Sequence, residues 1–257
     1  MPPSEGCCRH SPPRATLPYD TEERAQLFRG LLAGRRTLVV LDDAAHDEQV
    51  GPLLPGGHGC AVIVTSRAPL GGPWGARRLL LRELSERHGL DVLARMVGRE
   101  RVLAEPLAAA RLVELSGGLP LVLRAIADRL VSHPHWSLEF LVNRLTDEGC
   151  HLQELAAGDR EFIDSVARSY GRLPGVASRL FRHLGRVAGG AGEVTAGALP
   201  GLAQAEVENA LEQLADQHLL QVAGAAAGGG LQRYRLLEPY RRFALSLESR
   251  PHVSAGL

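Results

Sequence analysis

The chain has 257 residues, 45% hydrophobic and 23% charged, with 29 basic and 29 acidic residues and so no formal net charge. That is enough for a substantial core and more than one domain, and it removes any general electrostatic case for nucleic acid or acidic lipid. No unbroken apolar run of about 20 residues occurs, so no membrane span is expected.

All 29 basic residues are arginine. A phosphate-binding lysine is therefore impossible in this chain. The cysteines, Cys7, Cys8, Cys60 and Cys150, are scattered apart from one adjacent pair that cannot easily bridge itself. Reduced thiols and a cytoplasmic location are expected. Cys7, Cys8 and His10 lack a second ligand pair at metal-site spacing. The opening "MPPSEGCCRHSPPR" has no apolar core, so it is not read as a signal peptide.

Residues 1–20, rich in Pro and Ser, are expected to form a disordered tail. "TEERAQLFRGLLAG" predicts an amphipathic helix, capped by Thr21, with Leu27, Phe28, Leu31 and Leu32 on its buried side and Gly34 as its stop. "TLVVL" and "CAVIVTSR" predict two fully buried strands. The first delivers Asp42 and Asp43 at its C-terminal end; the second delivers Thr65, Ser66 and Arg67. Strands joined through helix and loop predict a parallel sheet in an α/β part spanning 21–82. Two strands alone leave an edge and an apolar face exposed, so this part should be the least stable.

From 83 to 164 the apolar spacing is helical. "AEPLAAARLVELSGG" predicts a helix with Pro106 in its first turn and a glycine stop. "LPLVLRAIADRLV" starts the next, and "HWSLEFLVNRLTD" another, capped by Ser137. From 165 to 248, "GRLPGVASRLFRHLGRVA" predicts a helix with Phe181 and Leu184 inward. "QAEVENALEQLADQHLLQVA" then runs from helix into strand. "GAAAGGG" is a turn, "LQRYRLLEP" a second strand and "YRRFALSLE" a closing helix: the outline of a winged helix. Residues 249–257 are a tail. The fold expected is thus an α/β parallel-sheet remnant, then a helical domain, then a winged-helix domain.

The strand-tip acids suit phosphate chemistry. One carboxylate can orient water on Mg²⁺ and the next can polarise an attacking water. Arg67, beside them on the neighbouring strand, can bind a terminal phosphate by paired hydrogen bonds. In "GGLPL", Pro120 opens a helix and offers an apolar ring to a base; the bland reading is a loop-to-helix junction.

Together "LLAGRRTLVVLDDA", "AVIVTSR", "ERVLAEPLAAARLVELSGGLPLVLRAIADRL" and "HPHWSLEFLVNRLTDE" resemble the NB-ARC nucleotide-binding module, in the form found in actinobacterial AfsR/SARP-type transcriptional regulators. "GRLPGVASRLFRHLG", "VENALEQLADQHLL" and "QRYRLLEPYRRFA" resemble the rest of that module. The likeness covers roughly residues 21 to 248. It implies a signal-transducing ATPase switch of the STAND class, which binds ADP or ATP with Mg²⁺ between an α/β domain, a helical domain and a winged helix. By that resemblance, Asp42 is the magnesium-side acid and Asp43 the water-side acid. Arg67 reaches the terminal phosphate and Pro120 contacts adenine. Leu237 and Glu238 stand where many relatives place a His-Asp pair near the β-phosphate, and of these only Glu238 is polar.

The chain departs from the pattern in having no GxxxxGK[ST]. The strand and helix N-terminus that would flank such a loop are also missing. On this reading Asp42 and Asp43 are vestigial, and neither ADP nor ATP is held tightly by this chain alone. The leading expectation is an incomplete regulatory switch module, acting through interdomain contacts or protein contacts with effector or sensor domains. One alternative is part of a competent ATPase whose phosphate loop lies in an upstream segment. Another is a winged-helix DNA-binding protein, against which "QAEVENALEQLADQHLL" argues: it carries Glu206, Glu208, Glu212 and Asp216 and no basic residue. Its Leu211 and Leu214, with Leu219 and Leu220, predict a packing surface instead. Oligomeric state is not legible in the sequence.

Overall fold

The structure, a computed structural model, describes residues 18–67, 69–71, 76–147, 160–187, 193–195, 202–226 and 230–247. Residues 1–17 of the expected 1–20 tail, the tail at 249–257, the Cys7, Cys8 and His10 group, Cys150 and residues 227–229 of the "GAAAGGG" turn lie outside the described residues; Gly224–Ala226 and Gly230 of that turn belong to strands. The chain divides into two compact units, 1–76 and 77–257.

The first unit holds helix α1 (Thr21–Leu32), strand β1 (Leu38–Leu41), the short helix α2 (Asp47–Val50) and strand β2 (Ala61–Val64). β1 and β2 pair in parallel, with Leu38 opposite Ala61 and Leu41 opposite Val64. The expectation of fully buried strands is corrected. Leu38, Val40 and Ile63 are 56%, 58% and 52% exposed. Side chains alternate across a strand, so this register puts these three on one face, which nothing among the described residues covers. The exposed apolar face expected of two strands alone is therefore present.

Helix α1 differs from expectation in two ways. Asp20, not Thr21, is its cap, accepting from the backbone N–H of Glu22 and Glu23 at 3.1 Å each. The Asp20 backbone is extended, as a cap requires, and its carboxylate is a strong acceptor near the positive end of the helix. The buried side is also smaller than its pattern suggests. Ala25 is buried, Phe28 and Leu32 are half-buried, and Leu27 and Leu31 are exposed. Helix α1 packs against the short turn Gly51–Leu53, which is too small to cover its whole apolar stripe.

The second unit opens with α3 (Glu86–Val97), α4 (Arg99–Ala104), α5 (Pro106–Leu115), α6 (Pro120–Ser132) and α7 (Leu138–Thr146). Pro106 and Pro120 each start a helix, where a missing N–H costs nothing. Ser137 caps α7 through Phe140 N–H, as its sequence position predicts. Distant groups tie these helices together. The Glu105 carboxylate accepts from Leu138 and Glu139 N–H at 3.1 and 3.0 Å. The Arg101 guanidinium donates to the Leu130 and Trp136 carbonyls. His133 stacks on Trp136 at 4.0 Å.

Helices α8 (Glu161–Gly171) and α9 (Gly175–Val187), strand β3 (Glu193–Thr195), helix α10 (Gln204–Asp216), strands β4 (Gln221–Ala226) and β5 (Gly230–Arg235) and helix α11 (Glu238–Ser246) complete the unit. Its antiparallel sheet has the order β3-β5-β4. Phe181 and Leu184 of α9 point inward, and Leu211, Leu214, Leu219 and Leu220 are buried, as expected. One apolar core runs from Leu93 in α3 to Ala244 in α11. At Gly185, helices α9 and α11 cross so closely that an added Cβ would sit 2.8 Å from Ala244 Cβ. Among the described residues no helix is long and apolar enough to cross a membrane.

Candidate functional site

The parallel register sets the geometry of the strand tips. Leu41 pairs with Val64, so the next residues, Asp42 and Thr65, emerge side by side. The Thr65 hydroxyl donates to Asp42 Oδ1 and accepts from Asp43 N–H at 2.9 Å. It thereby joins the two acids. The backbone continues the union, with Ala44 N–H donating to the Thr65 carbonyl at 2.9 Å and the Ser66 hydroxyl donating to the Ala44 carbonyl at 2.7 Å. Asp43 adopts a left-handed φ of 54°, uncommon for a non-glycine residue. Its carboxylate faces Arg67, whose Nε lies 2.9 Å from Oδ1. The structure thus brings Asp42, Asp43 and Arg67 into one exposed cluster, with Thr65 as the link.

The cluster meets half of the chemistry of a bound Mg²⁺-nucleotide. Two adjacent carboxylates beside a hydroxyl are hard oxygen donors that suit magnesium. The phosphate side is weaker. The cation at these tips, Arg67, is already paired with Asp43. Among the described residues no group of three or more His, Cys, Asp or Glu side chains is placed to hold a metal ion, so Asp42 would depend on phosphate and water for the rest of a magnesium shell.

Pro120 and Glu238 lie in the second unit. Pro120 is exposed at the first position of α6. The turn before it is built by Ser116, fully buried, whose hydroxyl donates to the Val113 carbonyl at 2.6 Å and accepts from Gly118 N–H at 3.2 Å. Gly117 and Gly118 have φ of 61° and 69°. Both conformations favour glycine, and both positions are crowded. A Cβ on Gly118 would lie 2.6 Å from the Leu84 carbonyl oxygen, and one on Gly117 would lie 3.2 Å from Leu237 Cβ and Pro239 Cδ. The glycine pair therefore lets the turn before Pro120 dock on the start of α11.

There Leu237 is a buried core residue, and Glu238 follows it. Arg241 grips both oxygens of Glu238, with Nε and Nη2 at 2.7 and 2.8 Å, and Arg242 Nε reaches Oε1 at 2.6 Å. Burial pushes the Glu238 carboxyl upward, but the hydrogen bonds and charges of Arg241 and Arg242 outweigh it and hold the group below its ordinary range. A phosphate contact by Glu238 would require those bonds to open and would set one anion against another.

A cleft of about 620 Å³ beside this junction is lined by Glu83, Glu86 and Glu114 against Arg111 and Arg235. Three carboxylates against two guanidinium groups do not suit a polyphosphate, and Arg111 is further paired with Glu114. Sequence reasoning did not single out Thr65 as a link or Ser116 as the organiser of the turn. The Glu238–Arg241–Arg242 spacing of three and four residues on a helix was the signal available for that cluster.

No protein-family model matches the chain. The chain is similar to the regulatory protein AfsR of Streptomyces coelicolor (strain ATCC BAA-471 / A3(2) / M145), with 38% identity over 237 residues, covering 92% of this chain and 23% of that protein. Against the regulatory protein AfsR of Streptomyces griseus it is 37% identical over 244 residues, covering 95% of this chain and 25% of that protein. The chain is therefore homologous, along nearly its whole length, to a segment of AfsR regulatory proteins, and it spans about a quarter of the length of those relatives.

Proposed function

We propose that the chain is a nucleotide-responsive switch module of the NB-ARC type from an AfsR-like transcriptional regulator. It works through protein contacts and has little nucleotide turnover of its own. The similarity to regulatory proteins named AfsR supports the regulatory role. The observation that carries the nucleotide part is the joined set of Asp42, Thr65, Asp43 and Arg67 at two parallel strand tips. That is where an open parallel sheet presents groups to a ligand. On this reading Asp42 serves Mg²⁺, Asp43 the attacking water, Arg67 the terminal phosphate and Pro120 the adenine.

Weak turnover follows from the same geometry. Phosphoryl transfer depends mostly on positioning and electrostatic stabilisation. The chain has no lysine, and among the described residues these tips show no nest of backbone N–H groups for the β- and γ-phosphates. The antiparallel β3-β5-β4 sheet with α9, α10 and α11 supports a winged-helix arrangement for the last segment, used for packing. Two observations favour packing over DNA reading. Helix α10 carries acids and no basic residue. Arg241 and Arg242 are held against Glu238 rather than presented beside the hairpin.

The experiment is nucleotide titration and phosphate release with the full chain, Mg²⁺ and ATP, beside Asp43→Asn and Arg67→Ala. Binding no tighter than the millimolar range, about 4 kcal/mol, is expected. It should weaken further in Arg67→Ala, and phosphate release should stay at background in all three proteins. Turnover above background that Asp43→Asn abolishes would refute the low-turnover reading in favour of a competent ATPase. Nucleotide binding untouched by Arg67→Ala would remove these strand tips from the site.

A further inference from the structure

Helix α9, "GVASRLFRHLGRV", contains no acidic residue. Its core positions Ala177, Leu180, Phe181 and Leu184 are buried, which turns Arg179, Arg182 and Arg186 toward its outer side. These arginines follow one another at three and four residues, the spacing that stacks side chains on one helix face. Arg179 and Arg182 form no ion pair with any described residue. Helix α10 is the opposite case. It contains no basic residue, and Glu208, Glu212 and Asp216 recur every four residues on its exposed side. Glu212 and Asp216 likewise form no ion pair among the described residues. The acidic face keeps an effective field. Burial first, and then the charges of Glu212, Glu208 and Asp216, raise the Tyr234 phenol above its ordinary value.

Two single-sign faces on one neutral chain repel within themselves and attract each other. Their dimensions also agree. At about 1.5 Å rise per residue, Arg179 to Arg182 spans roughly 4.5 Å and Glu212 to Asp216 roughly 6 Å. Arg179 and Arg182 can therefore meet Glu212 and Asp216 along facing turns of the two helices. Within one copy the two outer faces do not pair, as the absence of an ion pair at Arg179, Arg182, Glu212 and Asp216 among the described residues shows. We propose that the arginine face of α9 docks on the acidic face of α10 in a second copy of this chain, giving a salt-sensitive self-association. It needs no nucleotide and stands apart from the reading of the strand tips.

The test is sedimentation velocity of the full chain over a range of concentrations, at about 0.05 M and about 0.5 M salt, since screening grows steeply over that interval. The wild type should self-associate at low salt and weaken by roughly tenfold or more at high salt. Arg179→Glu/Arg182→Glu carries two acidic faces, and Glu212→Arg/Asp216→Arg carries two basic ones. Each should be monomeric alone, and an equimolar mixture of the two should associate. Far-UV circular dichroism checks that both fold, and Arg179→Gln/Arg182→Gln, which removes charge without reversing it, provides a milder second variant that should also lose association. A wild type that stays monomeric at low salt overturns the proposal. So does association that survives either reversal, or a mixture no more associated than its parts. If the α9 reversal removes retention of a duplex DNA probe and leaves self-association intact, the arginine face reads phosphate and the proposal fails.

Discussion

Glu238 separates a ligand-binding role from a structural one, and Glu238→Gln is the perturbation that does so. The substitution keeps the shape of the side chain and removes its charge. Arg242 is then left 8% exposed and Arg241 11% exposed, without their shared anion. Breaking a buried pair by removing one partner costs about 3–5 kcal/mol, because the remaining charge stays desolvated. The glutamine oxygen still accepts one hydrogen bond, which places the expected loss near 3 kcal/mol. A further few tenths of a kcal/mol is lost because a carboxylate at the first turn of α11 favours the helix dipole. For a unit of this size, about 2–4 °C of Tm per kcal/mol gives a fall of roughly 6–12 °C. The assay is thermal unfolding by circular dichroism at neutral pH, with Arg242→Met added to Glu238→Gln as a partner-removed control that should recover part of the loss. The pH dependence has a definite sign. A carboxyl held low in the folded state adds stability that is complete above its unfolded value, about 4.3, and is lost as pH falls through the depressed folded value. Wild type and Glu238→Gln should therefore converge in Tm as pH drops below about 4. A Tm loss under about 2 °C at neutral pH, or a gap that widens in acid, would refute the reasoning.

Three further outcomes follow. Gly118→Ala should destabilise the second unit by about 2–4 kcal/mol, since it combines a left-handed backbone with a Cβ driven into the Leu84 carbonyl; chemical denaturation measures it, and a neutral result would mean the turn can move away from Leu84. Gly30→Ala, a helical glycine with nothing within 4 Å of an added Cβ, should instead stabilise α1 by about 0.5–1 kcal/mol. Hydrogen exchange should find β1 and β2 less protected than α5, α6 and α7, given their exposed Leu38, Val40 and Ile63; equal protection would show that this face is covered in solution.

Much of the chain was legible because its signals are local. Ser137 as a cap, Pro106 and Pro120 at helix starts, and the leucines of α10 follow from short-range rules that hold wherever the element packs. The strand ends were legible for a related reason: an apolar run closed by two acids marks where a strand of a parallel sheet meets solvent. Thr65 as the link between those acids required the register, which no single strand discloses. Burial was misjudged where it depends on partners. Leu38 and Leu31 have the residue types of a core, but exposure is decided by what lies across the face, not by the side chain itself. Glu105 capping a helix 33 residues away has no sequence signature at all. The Glu238–Arg241–Arg242 set was readable from its three- and four-residue spacing on one helix.

Both groups of candidate ligand residues hold arginine against a carboxylate, and the strength of that hold differs. In a chain without lysine, every strong cation offered to phosphate is a guanidinium, and one that already faces a carboxylate must leave it or share it. At the strand tips the pair is partly exposed, with Arg67 at 28% and Asp43 at 49%, a setting in which ion pairs contribute only about 0–1 kcal/mol. A terminal phosphate can compete for Arg67 at that cost, and Mg²⁺ on Asp42 would reduce the repulsion from the acids left behind. At the start of α11 the arginines are buried, and separating them from Glu238 costs several times more. A ligand able to exchange the first pair therefore leaves the second intact. On the proposed reading nucleotide sensitivity rests on Arg67 and Asp43, while Glu238, Arg241 and Arg242 brace the first turns of the last helix, beside the buried Leu237.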